Sequence, residues 1–93
     1  MLITWDERKN ALNKAKHGVS FETAALVFDD PLHLSVQDRM VGGEERWQTL
    51  GMAGGVVLLL VAHTYRDHGG QEGIRIISAR KATARERTHY EED

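Results

Sequence analysis

Ninety-three residues hold one modest core with little to spare, so a single domain over residues 1–93 is expected, and a partner chain could add to its stability. A net charge of -2 and a pI near 6.2 leave no whole-molecule attraction for nucleic acid, so any polyanion site must come from local clusters of Arg and Lys. The lack of cysteine excludes disulfides, thiolate catalysis and Cys-based zinc sites.

Leu2-Ile3-Thr4-Trp5 is short and β-prone. It shows no basic stretch followed by an apolar one, and no segment of the chain reaches transmembrane length, so a soluble cytoplasmic protein is expected. Asp6 can cap a helix from Glu7 to His17, with Glu7 in the first turn and Lys14, Lys16 and His17 in the last, each of the sign the helix dipole prefers. Gly18 supplies the left-handed position that ends it. The apolar face, Ala11, Leu12 and Ala15, is thin, which places this helix on the surface. Ser20 caps a second helix whose Phe21, Ala24, Ala25 and Phe28 form one stripe suited to packing on a sheet. Asp29-Asp30-Pro31 stops it.

From Leu32 to Gln37 apolar and polar residues alternate, as in a strand with one wet face. After a turn at Asp38 to Gly43, Glu44 to Leu50 reads as a more polar strand ended by Gly51 and the Gly54-Gly55 pair. Val56 to Ala62 is a continuous apolar run, too short for a bilayer and rich in Val and Leu, which predicts a central strand buried on both faces. It runs into His63-Thr64-Tyr65-Arg66-Asp67 and a Gly-rich turn at Asp67 to Gln71. Gly73 to Lys81 follows as a β-branched strand broken by Arg and Lys, and the spacing suits antiparallel hairpins. Thr83-Ala84-Arg85-Glu86 is a capping box opening a short third helix to about Glu91, with only Ala84 and Tyr90 to dock it.

Cations gather between Arg66 and Arg87, namely Arg66, Arg75, Arg80, Lys81, Arg85 and Arg87, while acids group at Asp29-Asp30, Glu44-Glu45 and Glu91-Glu92-Asp93. His17, His33, His63, His68 and His89 fall on separate elements without the i,i+4 spacing of a metal site, so no metal or cofactor is expected. Neither Gly42-Gly43 nor Gly54-Gly55 makes a phosphate loop or a dinucleotide fingerprint.

Five blocks in order, Lys16 to Glu22, Val27 to Pro31, Gly43 to Trp47, Ile74 to Arg80 and Arg85 to Glu91, resemble the BrnT family of toxins from bacterial type II toxin-antitoxin systems. The resemblance implies an α+β, RelE-like fold: two N-terminal helices packed on a small, mainly antiparallel sheet of about four strands, plus a short C-terminal helix. It also implies a metal-independent ribonuclease that arrests translation. Its implied partners are RNA and a BrnA-like antitoxin with a ribbon-helix-helix domain, with DNA bound only through the joint complex that represses the operon, and no membrane. Gly51 to Gly55 and Asp67 to Glu72 depart from the family pattern, being long or irregular, which bears on substrate reach.

Metal-free RNA cleavage requires a base for the 2'-hydroxyl proton, cations for the charge gathering on the phosphorane, and an acid for the leaving oxygen. Arg66 and Arg80 are the candidate catalytic cations, with Arg75, Lys81 and Arg46 as substrate-binding ones, because a guanidinium pairs bidentately with phosphate. Strict alternation in the last strand puts Arg75 and Lys81 on one face and Arg80 on the other, so they converge only if that strand ends or bulges. His63 is the candidate base or acid, since imidazole titrates near neutral pH; a half-buried imidazole bonded to a backbone carbonyl is the competing reading. Glu45 or Glu44 can serve as base beside Arg46, or simply form a solvated face. Tyr90 can stack on a base or anchor the third helix. Two further readings stand beside the enzyme: a non-enzymatic partner-binding module acting with a DNA-binding antitoxin, and an inactive toxin remnant.

Overall fold

The computed structural model describes residues 1–92, apart from the His68 side chain, and Asp93 of the acidic tail lies outside the described residues. The elements are β1 (Leu2–Thr4), α1 (Glu7–His17), α2 (Phe21–Ala25) with a 3-10 turn at Leu26–Asp29, β2 (Leu34–Val41), β3 (Glu44–Ala53), β4 (Val57–His68), β5 (Gln71–Lys81) and α3 (Ala84–Glu92). They form one sheet of order β1-β5-β4-β3-β2, in which β1 pairs with β5 in parallel and the other neighbours are antiparallel. The architecture is α+β, as expected. Its sheet has five strands and not about four, because the β-prone N-terminus adds to the β5 edge beyond the hairpins.

The apolar run occupies the middle strand from Val57 on, while Val56, expected to begin it, stays in the preceding turn and is exposed. Leu58, Leu59, Val61, His63 and Thr64 of β4 are all buried. Both β4 and β5 run further than their apolar residues do, so the segment expected to be an irregular turn closes as a two-residue loop at Gly69-Gly70, with φ of 61° and 91°. A mirror-image turn of this kind needs positive φ at both positions, which glycine supplies without strain, and ladder bonds then carry the strands to it whatever their side chains. In the same way β3 runs through Gly51 to Ala53, where it had been expected to stop.

The caps behave as the sequence implies. Asp6 accepts bonds from the N–H groups of Arg8 and Lys9 at 2.8 and 3.2 Å, and Gly18 turns left-handed with φ 71°. Docking of α1 follows a different logic from the apolar face expected of it. Leu12 is 64 % exposed, and the buried residues are Asn10 and Asn13. Asn13 donates to the carbonyls of Val19 and Ala79 (2.9 and 2.8 Å) and accepts from the Ala79 N–H (3.1 Å). Beyond Arg75 the edge of β5 has no strand partner, and Asn13 takes up its free backbone groups at Ala79.

On the helix-bearing face Phe21, Ala24 and Val27 pack on Leu59, Val61, Ile74, Ile76 and Ala79. Asp30 ends the second helical segment as expected, and it also ties three elements together. Its carboxylate accepts the Leu32 N–H (2.9 Å), the Met52 N–H of β3 (2.8 Å) and the Tyr90 hydroxyl of α3 (2.6 Å). Burial works to raise its pKa, and these three bonds outweigh it, leaving the group below the usual carboxylate range.

Candidate nucleic-acid interface

One break in register decides which side chains share a face. Ala62 pairs with Ser78, but the next residue, His63, pairs with Ile76, so Ile77 is an extra residue on β5. Before this bulge Ile74 and Ile76 face the helices; after it Ala79 does. Arg75 and Arg80 therefore both point to the opposite, outer face, which simple alternation forbids. Sheet partners on that face run Arg75 with Thr64, Ser78 with Ala62 and Gln48, and Arg80 with Leu60, Leu50 and Leu34. Arg46 lies one residue beyond the Trp47 and His63 pair, which places it across from Thr64, and Glu44 lies across from Arg66.

The outer face thus changes character along the strands. One end carries Glu44, Arg46, Thr64, Arg66 and Arg75. The other, under α3, is a groove of about 510 Å³ lined by Leu34, Val36, Leu50 and Leu60 from the sheet and by Arg85 and His89 from the helix. None of the residues of α3 is buried, and polar ties hold it. Glu86 takes Arg80 in a bidentate pair at 2.8 and 3.0 Å while closing the capping box with Thr83. The Arg80 pairing, helped by the Thr83 N–H, pushes the Glu86 carboxyl down to about 2, and the same pair raises Arg80. Arg66 binds Glu44 at 2.9 Å. Arg46 and Arg75 have no carboxylate in ion-pair range among the described residues.

Of the sequence-derived candidates the structure puts Arg46, Arg66, Arg75 and Arg80 on one face, the first three at one end and Arg80 toward α3, and places the rest elsewhere. Lys81 pairs with Leu59, and Glu45 alternates with Arg46, so both belong to the helix-bearing face and lie across the sheet from the arginines. Tyr90 spends its hydroxyl on Asp30, which is the anchoring reading. His63 has no exposed surface: its ring packs edge-on against Phe28 and Tyr65 at 5.0 and 5.2 Å, and its Nε2 meets Thr49 Oγ1 at 2.7 Å, which in turn meets Ser35 Oγ at 2.7 Å. Burial pushes this imidazole down to about 4, so it is neutral at physiological pH. Of the paired acids Glu44 and Glu45, only Glu44 stands among the arginines. Gln48, Thr64 and Ser78, which line the same face, carry no sequence signal beyond their place in the alternation. No group of three His, Asp or Glu side chains able to hold a metal occurs among the described residues, and the His68 side chain of the five-histidine reading lies outside them. No helix is long and apolar enough to cross a membrane.

Residues 5–86 match the family model described as "Ribonuclease toxin, BrnT, of type II toxin-antitoxin system". The chain belongs to the BrnT family. It is also similar to the crystal structure of the Brucella abortus ribonuclease toxin BrnT, with 30 % sequence identity, a TM-score of 0.62, and coverage of 89 % of this chain and 97 % of that one. No curated protein matches it. Membership in the BrnT family carries ribonuclease toxin function at the level of the family's name, and membership in a type II system implies an antitoxin partner.

Proposed function

We propose that this BrnT chain is a metal-independent endoribonuclease that lays RNA across the outer face of its sheet and arrests translation by cutting it. The observation that carries this reading is the Ile77 bulge, which turns Arg75 and Arg80 to the same side as Arg46 and Arg66. Four guanidinium groups on one face of a chain with net charge -2 supply the local cationic site that the composition demanded. Glu44 is the general base that takes the 2'-hydroxyl proton as that oxygen attacks phosphorus, and Arg66, already at hydrogen-bond distance from Glu44, stabilises charge on the phosphate. The P–O5' bond breaks with the leaving 5'-oxygen protonated by water. Arg80, held by Glu86, marks where the RNA passes toward α3. This moves the base from His63 and Glu45 to Glu44, since a proton acceptor must reach the substrate and both of the others lie on the far side of the sheet. Neutralisation falls to a BrnA-like ribbon-helix-helix antitoxin, and DNA is met only through the joint complex.

Cleavage of RNA by the purified chain, with a chelator present, tests the proposal. The chain should cut, and Glu44→Gln should lower the rate by about 100-fold or more while its circular dichroism stays that of the unsubstituted chain. Equal rates for the variant would overturn the base assignment. A chain that binds an antitoxin but cuts no RNA would favour the non-enzymatic partner-binding reading.

A further inference from the structure

Of the four arginines on the outer face of the sheet, Arg66 and Arg80 are each tied to a carboxylate, whereas Arg46 and Arg75 pair with no carboxylate belonging to the described residues. These two flank one residue. Thr64 on the central strand is paired with Arg75 on β5 and lies across from Arg46 on β3. It has no exposed surface, and its Oγ1 finds no hydrogen-bond partner. Arg46 Nε is likewise buried without one. Two donors that have given up water and gained nothing in return are uncommon in a folded chain, and their place on neighbouring strands, with Thr64 between the two arginines that pair with no carboxylate, points to an acceptor that arrives from outside.

We propose that Thr64, Arg46 and Arg75 form a seat for one phosphodiester group of the RNA. The Thr64 hydroxyl donates to a non-bridging oxygen, and the two arginines close on the group from the neighbouring strands. Strands about 4.8 Å apart place the two arginine stems evenly on either side of Thr64, well within the length of their side chains. Because Thr64 is buried in the free chain, the side chains over it give way as the phosphate enters, and both orphaned donors are then satisfied. A hydroxyl fixed to the middle strand adds what two flexible cations lack, a set position along the sheet. Arg66 lies two residues beyond Thr64 on β4 and its partner Glu44 two residues beyond Arg46 on β3, about 7 Å along the sheet, so a phosphate seated on Thr64 brings an attached ribose toward the base. This seat rests on the reading of the outer face as the RNA site.

Thr64→Val, of the same shape without the hydroxyl, and Thr64→Ser, which restores it, are compared with the unsubstituted chain in two measurements. In steady-state cleavage of RNA, Thr64→Val should lower kcat/KM by about 10- to 100-fold, the range of a lost hydrogen bond to a charged group, and Thr64→Ser should recover most of it. In titrations with inorganic phosphate followed by NMR, the Thr64 amide and Arg46 Nε resonances of the unsubstituted chain should move together, and Thr64→Val should weaken that binding to a similar degree. Should Thr64→Val fail to fold, the phosphate titration of the unsubstituted chain and the Ser variant decides alone. Cleavage and phosphate binding unchanged in Thr64→Val would overturn the seat and leave the ribonuclease standing. Phosphate binding that depends on Thr64 in a chain that cuts no RNA would uphold the seat and overturn the enzymatic reading.

Discussion

His63 offers a direct test of which face it serves. Its pKa is pushed from 6.5 down to about 4, by burial first and by the nearby His33 to a smaller extent. Between those two values the unfolded chain binds a proton at this imidazole and the folded chain does not, so acid favours unfolding. The stability concerned is intact above pH 6.5 and drains away as the pH falls toward 4. At about 1.4 kcal/mol per pH unit, roughly 2 kcal/mol is gone by pH 5. The depressed carboxylates do not confuse the comparison: Glu86, at about 2, and Asp30, also lowered, lose their contribution as the pH falls from the ordinary carboxylate range downward, below the pH 5 end of the comparison. Urea unfolding followed by tryptophan fluorescence at pH 7 and pH 5 reads the effect, with His63→Gln as the reference because an amide keeps a partner for Thr49 and does not titrate. The unsubstituted chain should lose about 2 kcal/mol more than the variant between the two pH values, a midpoint shift of about 1 M at the slope usual for small domains. Equal losses in the two chains would refute the burial argument. The same variant, once shown to be folded, should still cleave RNA, since a sealed neutral imidazole across the sheet from the arginines takes no part in the chemistry.

Two packing predictions check the frame behind the site. A Cβ on Gly51 would stand 2.8 Å from Val27 Cγ1 and 3.2 Å from the Val27 carbonyl oxygen, so Gly51→Ala should cost about 1–3 kcal/mol in chemical unfolding, and a cost near zero would show that the 3-10 turn yields freely. Asn13→Ala removes three bonds to buried backbone groups and should cost about 3 kcal/mol or more, with faster amide exchange at Ala79; unchanged exchange there would mean that Asn13 does not hold the strand beyond the bulge.

The helix boundaries and the central strand were legible because their signals are local. Asp6 and Gly18 carry the hydrogen-bonding and dihedral preferences of helix ends in their own chemistry, and the Val56 to Ala62 run announces a central strand by composition alone, although only Leu58, Leu59 and Val61 of it are buried and Val56 is exposed. The resemblance to BrnT toxins was equally a matter of residues in order, and it held over residues 5–86. Strand lengths were underestimated for a physical reason. A ladder continues as long as backbone groups find partners, so polar residues such as Tyr65 to Asp67 remain in β4 although no hydrophobic pattern marks them.

The site was legible only as a list of residue types. Arg75 and Arg80 are five positions apart, and alternation puts them on opposite faces; the extra residue at Ile77 reverses that, and it shows only in the pairing of β5 with β4. In the same way the chain alone cannot say whether His63 follows the apolar run outward or inward. Packing against Phe28 and Tyr65 decides it. What the sequence determined by itself was family, element order and the supply of cations. What only the tertiary structure decided was which cations face the same way, because side-chain direction in a sheet depends on pairing between distant segments, and one unpaired residue is enough to invert it.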